Sequence, residues 1–339
     1  MISFIIPAHN ASKYIERAFR SIENNAIVCD KLEDVEIIIV ENGSTDDTFA
    51  VASMLVSDYN NAKVVRSAKG VSAARNRGIE TAKGKWIFFL DADDYLLDSA
   101  LEKLIEDIED NRNDWILYGH IKGTKRLQLS ESEKIINANE IEKSRVEFIS
   151  NPTKYLQVWA KLFKKDIIIE NGLRFDEEIK LAEDSDFSIR YSSFCKRILI
   201  SNSIVYNYSI DNISTLRSIN DERVNEFVFS LKKTKKFIAQ ESEIIKRAYA
   251  KYIMMHFNIA MVTGVFANNI NKSIKDKNKT LKETILRPVF QDALKIIRIM
   301  ECSSLRMVPI LLIKLKCYRL AGLIYIIRAK KNEKESNYV

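Results

Sequence analysis

Along the first 120 residues, short continuous apolar runs alternate with segments of helical spacing. The runs Ile2–Ile6, Val35–Val40, Lys63–Arg66, Trp86–Leu90 and Trp115–Tyr118 are rich in β-branched and aromatic residues and read as strands, most of them covered on both faces. Between them, Tyr14, Ile15, Ala18, Phe19 and Ile22 share one helical face, with Ser12 as the expected N-cap. Ser44-Thr45-Asp46-Asp47 resembles a capping sequence for a helix through Phe49, Val51, Met54 and Leu55. Asp98 or Ser99 caps a third, carrying Leu101, Leu104, Ile105 and Ile108. This β-α-β-α order predicts an α/β fold: a doubly wound, mostly parallel sheet flanked by helices. Residues 120–160 are more polar and less periodic, and 174–218 read as short strands and loops around the Tyr-rich Val205-Tyr206-Asn207-Tyr208. From about 220 the spacing is helical. The expected division is therefore an α/β domain over 1–218 and a basic, mainly helical region over 219–339.

Composition narrows the classes. With 46% hydrophobic and 29% charged residues in 339, the chain can bury a sizeable core and is not of a disordered type. Lys or Arg interrupts every apolar stretch before the roughly 20 residues a membrane crossing needs. The N-terminus has no basic segment ahead of its apolar run and reads as a first strand rather than a secretory signal, so a cytoplasmic chain is expected. The four cysteines are far apart and read as free thiols. The three histidines lack ligand spacing, so any metal is expected to be a hard one bound by oxygen.

The net charge of +7 is unevenly distributed. From Asp221 onward there are 24 Lys and Arg against 11 Asp and Glu. This basic region suits an anionic membrane surface, or simply solvated or self-associating helices. Leu305–Ile327, apolar but carrying Lys314, Lys316 and Arg319, reads as a helix lying on a membrane or packed on protein. No aromatic-interleaved basic stripe or reader motif accompanies the charge, and nucleic acid is not an expected partner.

In a parallel sheet, ligands bind beyond the carboxyl ends of the strands. Four successive strand ends here carry polar sequence: Pro7-Ala8-His9-Asn10, Glu41-Asn42-Gly43-Ser44, Lys69 to Asn76, and Asp91-Ala92-Asp93-Asp94. Carboxylates emerging from a buried strand repel one another unless a cation lies between them, and carboxylate donors suit Mg2+ or Mn2+. Read alone, Asp91-Ala92-Asp93 could be an acidic turn capping the next helix. Its convergence with the other strand ends favours a site. Glu183-Asp184-Ser185-Asp186 forms a second acidic group, readable as a helix N-terminus or as the source of a general base.

These segments resemble family 2 glycosyltransferases, the inverting enzymes of the GT-A fold. Phe4-Ile5-Ile6-Pro7-Ala8-His9-Asn10 is similar to that family's opening strand. Ile39-Val40-Glu41-Asn42-Gly43-Ser44-Thr45-Asp46 is similar to its second motif, with Asn42 where a carboxylate is usual. Gly70-Val71-Ser72-Ala73-Ala74-Arg75-Asn76-Arg77-Gly78 and Phe89-Leu90-Asp91-Ala92-Asp93-Asp94 match nearly letter for letter. Trp159-Ala160-Lys161-Leu162-Phe163 and Glu183-Asp184 complete the series.

The resemblance implies a metal-dependent hexosyltransferase that uses Mn2+ or Mg2+. It implies a nucleotide-sugar donor, a UDP-hexose, and a glycan or lipid-linked glycan acceptor in bacterial surface-polysaccharide synthesis. Pro7, His9, Asn10, Glu41, Asn42 and Ser44 would then line the nucleoside pocket. Lys69, Arg75, Asp91 and Ala92 would lie along the diphosphate and donor sugar, and Asp93 with Asp91 would hold the metal. Asp184, with Glu183 beside it, would be the general base, and Trp159 and Lys161 would shape the acceptor side. Such a chain would work in the cytoplasm or peripherally on the inner face of the cell membrane. Two other readings compete: a catalytically inactive transferase-like scaffold, and a phosphatase of the haloacid dehalogenase type, which leaves the first three strand-end motifs unexplained.

Overall fold

The computed structural model describes residues 1–210, 221–268, 270–302 and 304–337, without the side chains of 221–223 and 332–337. These group into two units, residues 1–145 with 153–212 and residues 146–152 with 213–339. The boundary expected between 218 and 219 lies outside the described residues.

The first unit holds a sheet of ten strands among the described residues. They are β1 (Ile2–Ala8), β2 (Val35–Glu41), β3 (Ala62–Arg66), β4 (Trp86–Phe89), β5 (Tyr95–Leu96), β6 (Trp115–Lys122), β7 (Lys125–Leu127), β8 (Lys134–Ile136), β9 (Lys161–Lys164) and β10 (Ile198–Tyr208). The spatial order is β3-β2-β1-β4-β9-β6-β10-β5, with β7 against β6 and β8 against β10. β3, β2, β1 and β4 are parallel, and β1 is central, in register Ile2↔Val35 and Ile2↔Trp86. The mainly apolar sequence of β1, β2 and β4 follows from burial on both faces, whereas β3, at the edge, is only half-buried and carries Lys63 and Arg66. β9 runs antiparallel between β4 and β6, so the sheet as a whole is mixed. All five expected strands are present.

Residues 174–208 are more regular than expected. They form a helix and one eleven-residue strand, β10. Register shifts between Ile200 and Ile204 and between Ile204 and Tyr206 break the alternation by which a strand is recognised.

Among the described residues the first unit contains the helices α1 (Ile15–Val28), α2 (Thr48–Val56), α3 (Val71–Thr81), α4 (Ala100–Glu109), α7 (Lys165–Glu170) and α8 (Glu183–Ser192), while α5 (Ile141–Ser150) and α6 (Pro152–Tyr155) each have residues in both units. Ser12 does not cap α1. Tyr14 is the N-cap, and the Ser12 hydroxyl donates to Asp46 at 2.7 Å, binding the loop after β1 to the loop after β2. Asp46 also accepts from the Thr48 backbone N–H at 3.1 Å, at the start of α2. α3 lies close against β1 because residue 78 is glycine: a Cβ there would stand 2.3 Å from Ile5 Cγ2.

The second unit is helical: α9 (Asp221–Ile238), α10 (Glu243–Ala260), α11 (Ile274–Ile285), α12 (Pro288–Ile296), α13 (Val308–Lys314) and α14 (Tyr318–Asn337). Tyr249, Tyr252, Phe257, Phe290 and Tyr325 are buried in it, and the Tyr325 hydroxyl donates to Asn258 Oδ1 at 2.6 Å. The apolar segment Leu305–Ile327 is not one helix. It breaks at Lys316, whose φ of 61° ends α13 before α14 begins. No helix among the described residues is long and apolar enough to cross a membrane.

Candidate active site

The loops after β1 and β2 interlock. The Asn42 N–H donates to Ala8 O at 3.1 Å, the Asn10 N–H to Ser44 Oγ at 3.1 Å, and the Thr45 N–H to Asn10 Oδ1 at 2.8 Å. Asn10 takes a left-handed φ of 51° to do so. Pro7 is buried in β1, and His9 and Asn10 are exposed just beyond it. Glu41 is buried and accepts from the Ser44 N–H at 2.5 Å. Burial pushes the Glu41 carboxyl up, but bonds from Ser44 and Gly43 and the charge of Arg66 outweigh it and leave it below the usual range. Asn42 is also buried, and its Oδ1 has no hydrogen-bond partner among the described residues. Lys69 is exposed, its stem beside Gly43.

Gly70, at φ 126°, turns the chain into α3, whose Ser72, Ala73 and Ala74 are small enough to bury against the sheet. The next residue, Arg75, therefore points inward and is only 3% exposed. Its Nη1 donates to Asp184 Oδ1 at 2.6 Å and Glu183 Oε1 at 3.1 Å, and its Nη2 to Asp91 Oδ1 at 3.3 Å. The guanidinium lies 5.4 Å from the Phe175 ring centroid. Asn76 fixes that segment, donating to Phe175 O at 2.9 Å and accepting from the Phe175 N–H at 2.8 Å. One buried cation thus joins two acidic groups separated by more than ninety residues of sequence.

Burial would lower the Arg75 pKa, yet Asp184, Asp91 and Glu183 raise it. Asp91 and Glu183 are both pushed above the ordinary carboxylate range. Burial comes first in each case, with repulsion from Asp184 adding to it and Arg75 opposing. Asp93 adds further repulsion on Asp91.

The acidic loop is held from beneath by residues the sequence had not placed. The Asp91 N–H donates to the Tyr206 hydroxyl at 3.2 Å, and that hydroxyl donates to Asp94 Oδ2 at 2.6 Å. Asp94 Oδ1 accepts from the Ser209 N–H at 2.8 Å. Arg17 donates to the carbonyl of Asp93 and to Ser209 Oγ. Asp94 is buried, and burial, with the charge of Asp91, pushes its carboxyl up. The Tyr-rich run was the available signal for Tyr206, but its register was not readable through the irregularities of β10. Ala92, between the two aspartates, is buried.

On the other flank, Trp159 stacks on Tyr206 with centroids 5.0 Å apart and lies 5.6 Å from Tyr208. Ala160 follows in the left-handed region at φ 54°, as does Ala182, at φ 64°, immediately before Glu183. Non-glycine residues rarely adopt this conformation, and strain of this kind gathers at functional sites. Lys161 is 0% exposed, and its Nζ donates to Trp159 O at 3.3 Å. Asp184 Oδ2 accepts from the Val158 N–H at 3.4 Å, tying this flank to the acidic pair.

Burial, only partly offset by Asp184, pulls the Lys161 ammonium down to about 7. The unfolded chain keeps that proton to about pH 10.4, so above pH 7 the unfolded state binds more protons and stability rises with pH. Relative to Lys161→Met, the wild type should therefore gain roughly 2–3 kcal/mol between about pH 6 and pH 9, read by urea denaturation. A constant difference between the two proteins would show that Lys161 is solvated.

A cavity of about 580 Å³ lies elsewhere in this unit, lined by Lys103, Arg126, Gln128 and Asn202–Val205 and by none of the expected site residues.

The profile of the family described as Glycosyl transferase family 2 matches residues 3–170, from β1 through α7. The chain belongs to glycosyl transferase family 2. Among its relatives in this family, the uncharacterized glycosyltransferase EpsJ of Bacillus subtilis is 28% identical over 226 residues, 65% of this chain and 63% of the relative. The poly(ribitol-phosphate) beta-glucosyltransferase of Bacillus spizizenii is 31% identical over 214 residues, 62% of this chain and 32% of that protein. The chain thus spans less than two thirds of the length of either. The crystal structure of Staphylococcus aureus TarS 1–349 in complex with UDP superposes with a TM-score of 0.68 at 19% identity, covering 96% of this chain and 90% of that one. At that identity the likeness is one of fold, and the family 2 domain here has the GT-A architecture, followed by a helical C-terminal region.

Proposed function

We propose that this family 2 protein is an inverting hexosyltransferase that moves a sugar from a UDP-linked donor to a hydroxyl of a bacterial surface polysaccharide. The observation that carries this reading is the convergence on Arg75 of Asp91, from the donor rim, and the Glu183–Asp184 pair. Relatives named for poly(ribitol-phosphate) glycosyl transfer support the acceptor class, and a fold relative bound to UDP supports the nucleotide.

Asn42 Oδ1, buried and unpartnered, suits the ring N–H of a uracil, and Glu41, Pro7 and His9 frame the same strand ends. Ser44 and Asn10 hold these loops to each other, and Lys69 offers an exposed cation for the diphosphate. Arg75 is committed to carboxylates, so its role is to position them rather than to grip phosphate.

Asp91 and Asp93 fit a divalent metal. Both are oxygen donors, the set that Mg2+ and Mn2+ prefer, and their mutual repulsion is what such a cation relieves. Among the described residues no three acidic, His or Cys groups gather to hold an ion, so water and the diphosphate would complete the ligands. When bound, the metal supplies positive charge to the departing diphosphate.

Asp184 accepts the proton of the acceptor hydroxyl as that oxygen bonds to the anomeric carbon and the bond to diphosphate breaks. Displacement from the opposite face inverts the configuration. Trp159 offers an aromatic surface to the acceptor, with Lys161 beneath it. The reaction would take place at the cytoplasmic face of the cell.

Turnover of UDP-sugars in the presence of Mn2+ tests this. Turnover should disappear with chelation and return with metal, and Asp93→Ala should lose the metal response. Metal-independent turnover, or release of phosphate from simple phosphoesters without any nucleotide sugar, would overturn it.

A further inference from the structure

Helix α14 is apolar on two faces. Ala321, Tyr325 and Ala329 are buried in the second unit. On the opposite face, Leu320, Leu323 and Ile327 are 53%, 50% and 66% exposed. At 100° per residue these three fall within an arc of about 60°. Arg319 and Lys330 lie along one edge of that arc, Lys331 on the other, and all three are exposed. The turn carrying Leu305, itself 84% exposed, is held to this helix by Arg328, which donates to the carbonyls of Leu305 and Arg306. From Cys302 to Asn332 the chain contains seven Lys or Arg and neither Asp nor Glu.

Among the residues of α14 whose side chains are described, the exposed apolar stripe is edged by cations, and it has two simple occupants, a second copy of the chain or an anionic amphiphile. Pairing with a second copy about a two-fold axis would set this cation-only segment against itself. Anionic lipid satisfies both features: headgroup phosphates meet the cations, and the acyl boundary receives the three aliphatic side chains. We infer that the Leu320–Leu323–Ile327 face of α14, with the Leu305 turn beside it, seats on an anionic bilayer surface. This is independent of the catalytic assignment.

The test is co-sedimentation of the full chain with vesicles of phosphatidylcholine alone or mixed with phosphatidylglycerol. The wild type should bind the mixed vesicles, bind phosphatidylcholine weakly, and detach as salt is raised. Leu320→Ser/Leu323→Ser/Ile327→Ser should weaken partitioning about tenfold or more. Arg319→Gln/Lys330→Gln should reduce the preference for phosphatidylglycerol. All five side chains are exposed, so thermal unfolding should show both variants folded. The inference is overturned if the wild type ignores phosphatidylglycerol vesicles or if the triple serine variant binds them equally well. It is also overturned if light scattering shows an oligomer that the triple variant dissolves, because the occupant would then be a second copy.

Discussion

Asp184→Asn should lower kcat of sugar transfer by about 10²- to 10⁴-fold while leaving donor binding nearly unchanged. The amide is isosteric and its oxygen still meets Arg75, at the cost of the long 3.4 Å bond from the Val158 N–H, but it cannot take up a proton. Glu183 is the natural substitute, lying 3.1 Å from the same guanidinium nitrogen. Burial and the charge of Asp184 push the Glu183 carboxyl upward, so in the wild type it keeps its proton more readily than an ordinary glutamate. Glu183→Gln should therefore be the milder change. Steady-state kinetics of the two variants side by side decides the matter. If Glu183→Gln is the more damaging, the proton acceptor is Glu183 and the present assignment is wrong.

Arg75→Met should cost up to about 3 kcal/mol of stability, because it strands three half-buried carboxylates that have lost their shared, fully buried cation. The loss should depend on pH in a defined direction. Asp91 and Glu183 already stand above the ordinary range, and without Arg75 they rise further. A raised acid means the folded state holds more protons than the unfolded chain, so stability falls as pH climbs between the two values. The variant should be nearest the wild type in mild acid and furthest from it in mild alkali, measured as urea midpoints across that range. Arg75→Lys should recover only part of the loss, since one ammonium cannot span three partners on two sides. A uniform penalty at every pH would mean that packing against Phe175, and not charge, is what Arg75 supplies.

Most of the sheet was legible in the sequence because β1, β2 and β4 are covered on both faces, and full coverage leaves an unbroken apolar run. β10 was not legible, because its irregular register scrambles the alternation. The rim was recognisable as four polar strand ends, and Asp91, Glu183 and Asp184 do meet there. What pattern could not supply was the direction of a side chain. Arg75 is placed for a diphosphate by sequence but turned into the interior by the small residues before it. Tyr206 and Arg17 support the acidic loop through hydrogen bonds to its backbone, a role that leaves no trace in spacing or composition.

The close seating of α3 on β1 bears on the distances in the site. Arg75 stands one turn before Gly78 on the same helix, so the depth to which that turn sinks sets how far the guanidinium reaches. A single methyl group at position 78 would lift the helix from Ile5 and draw Arg75 back from all three oxygens at once. The electrostatics of the rim are in this sense governed by a hydrocarbon clearance one turn further along the same inward face of the helix, at a residue with no polar side chain of its own.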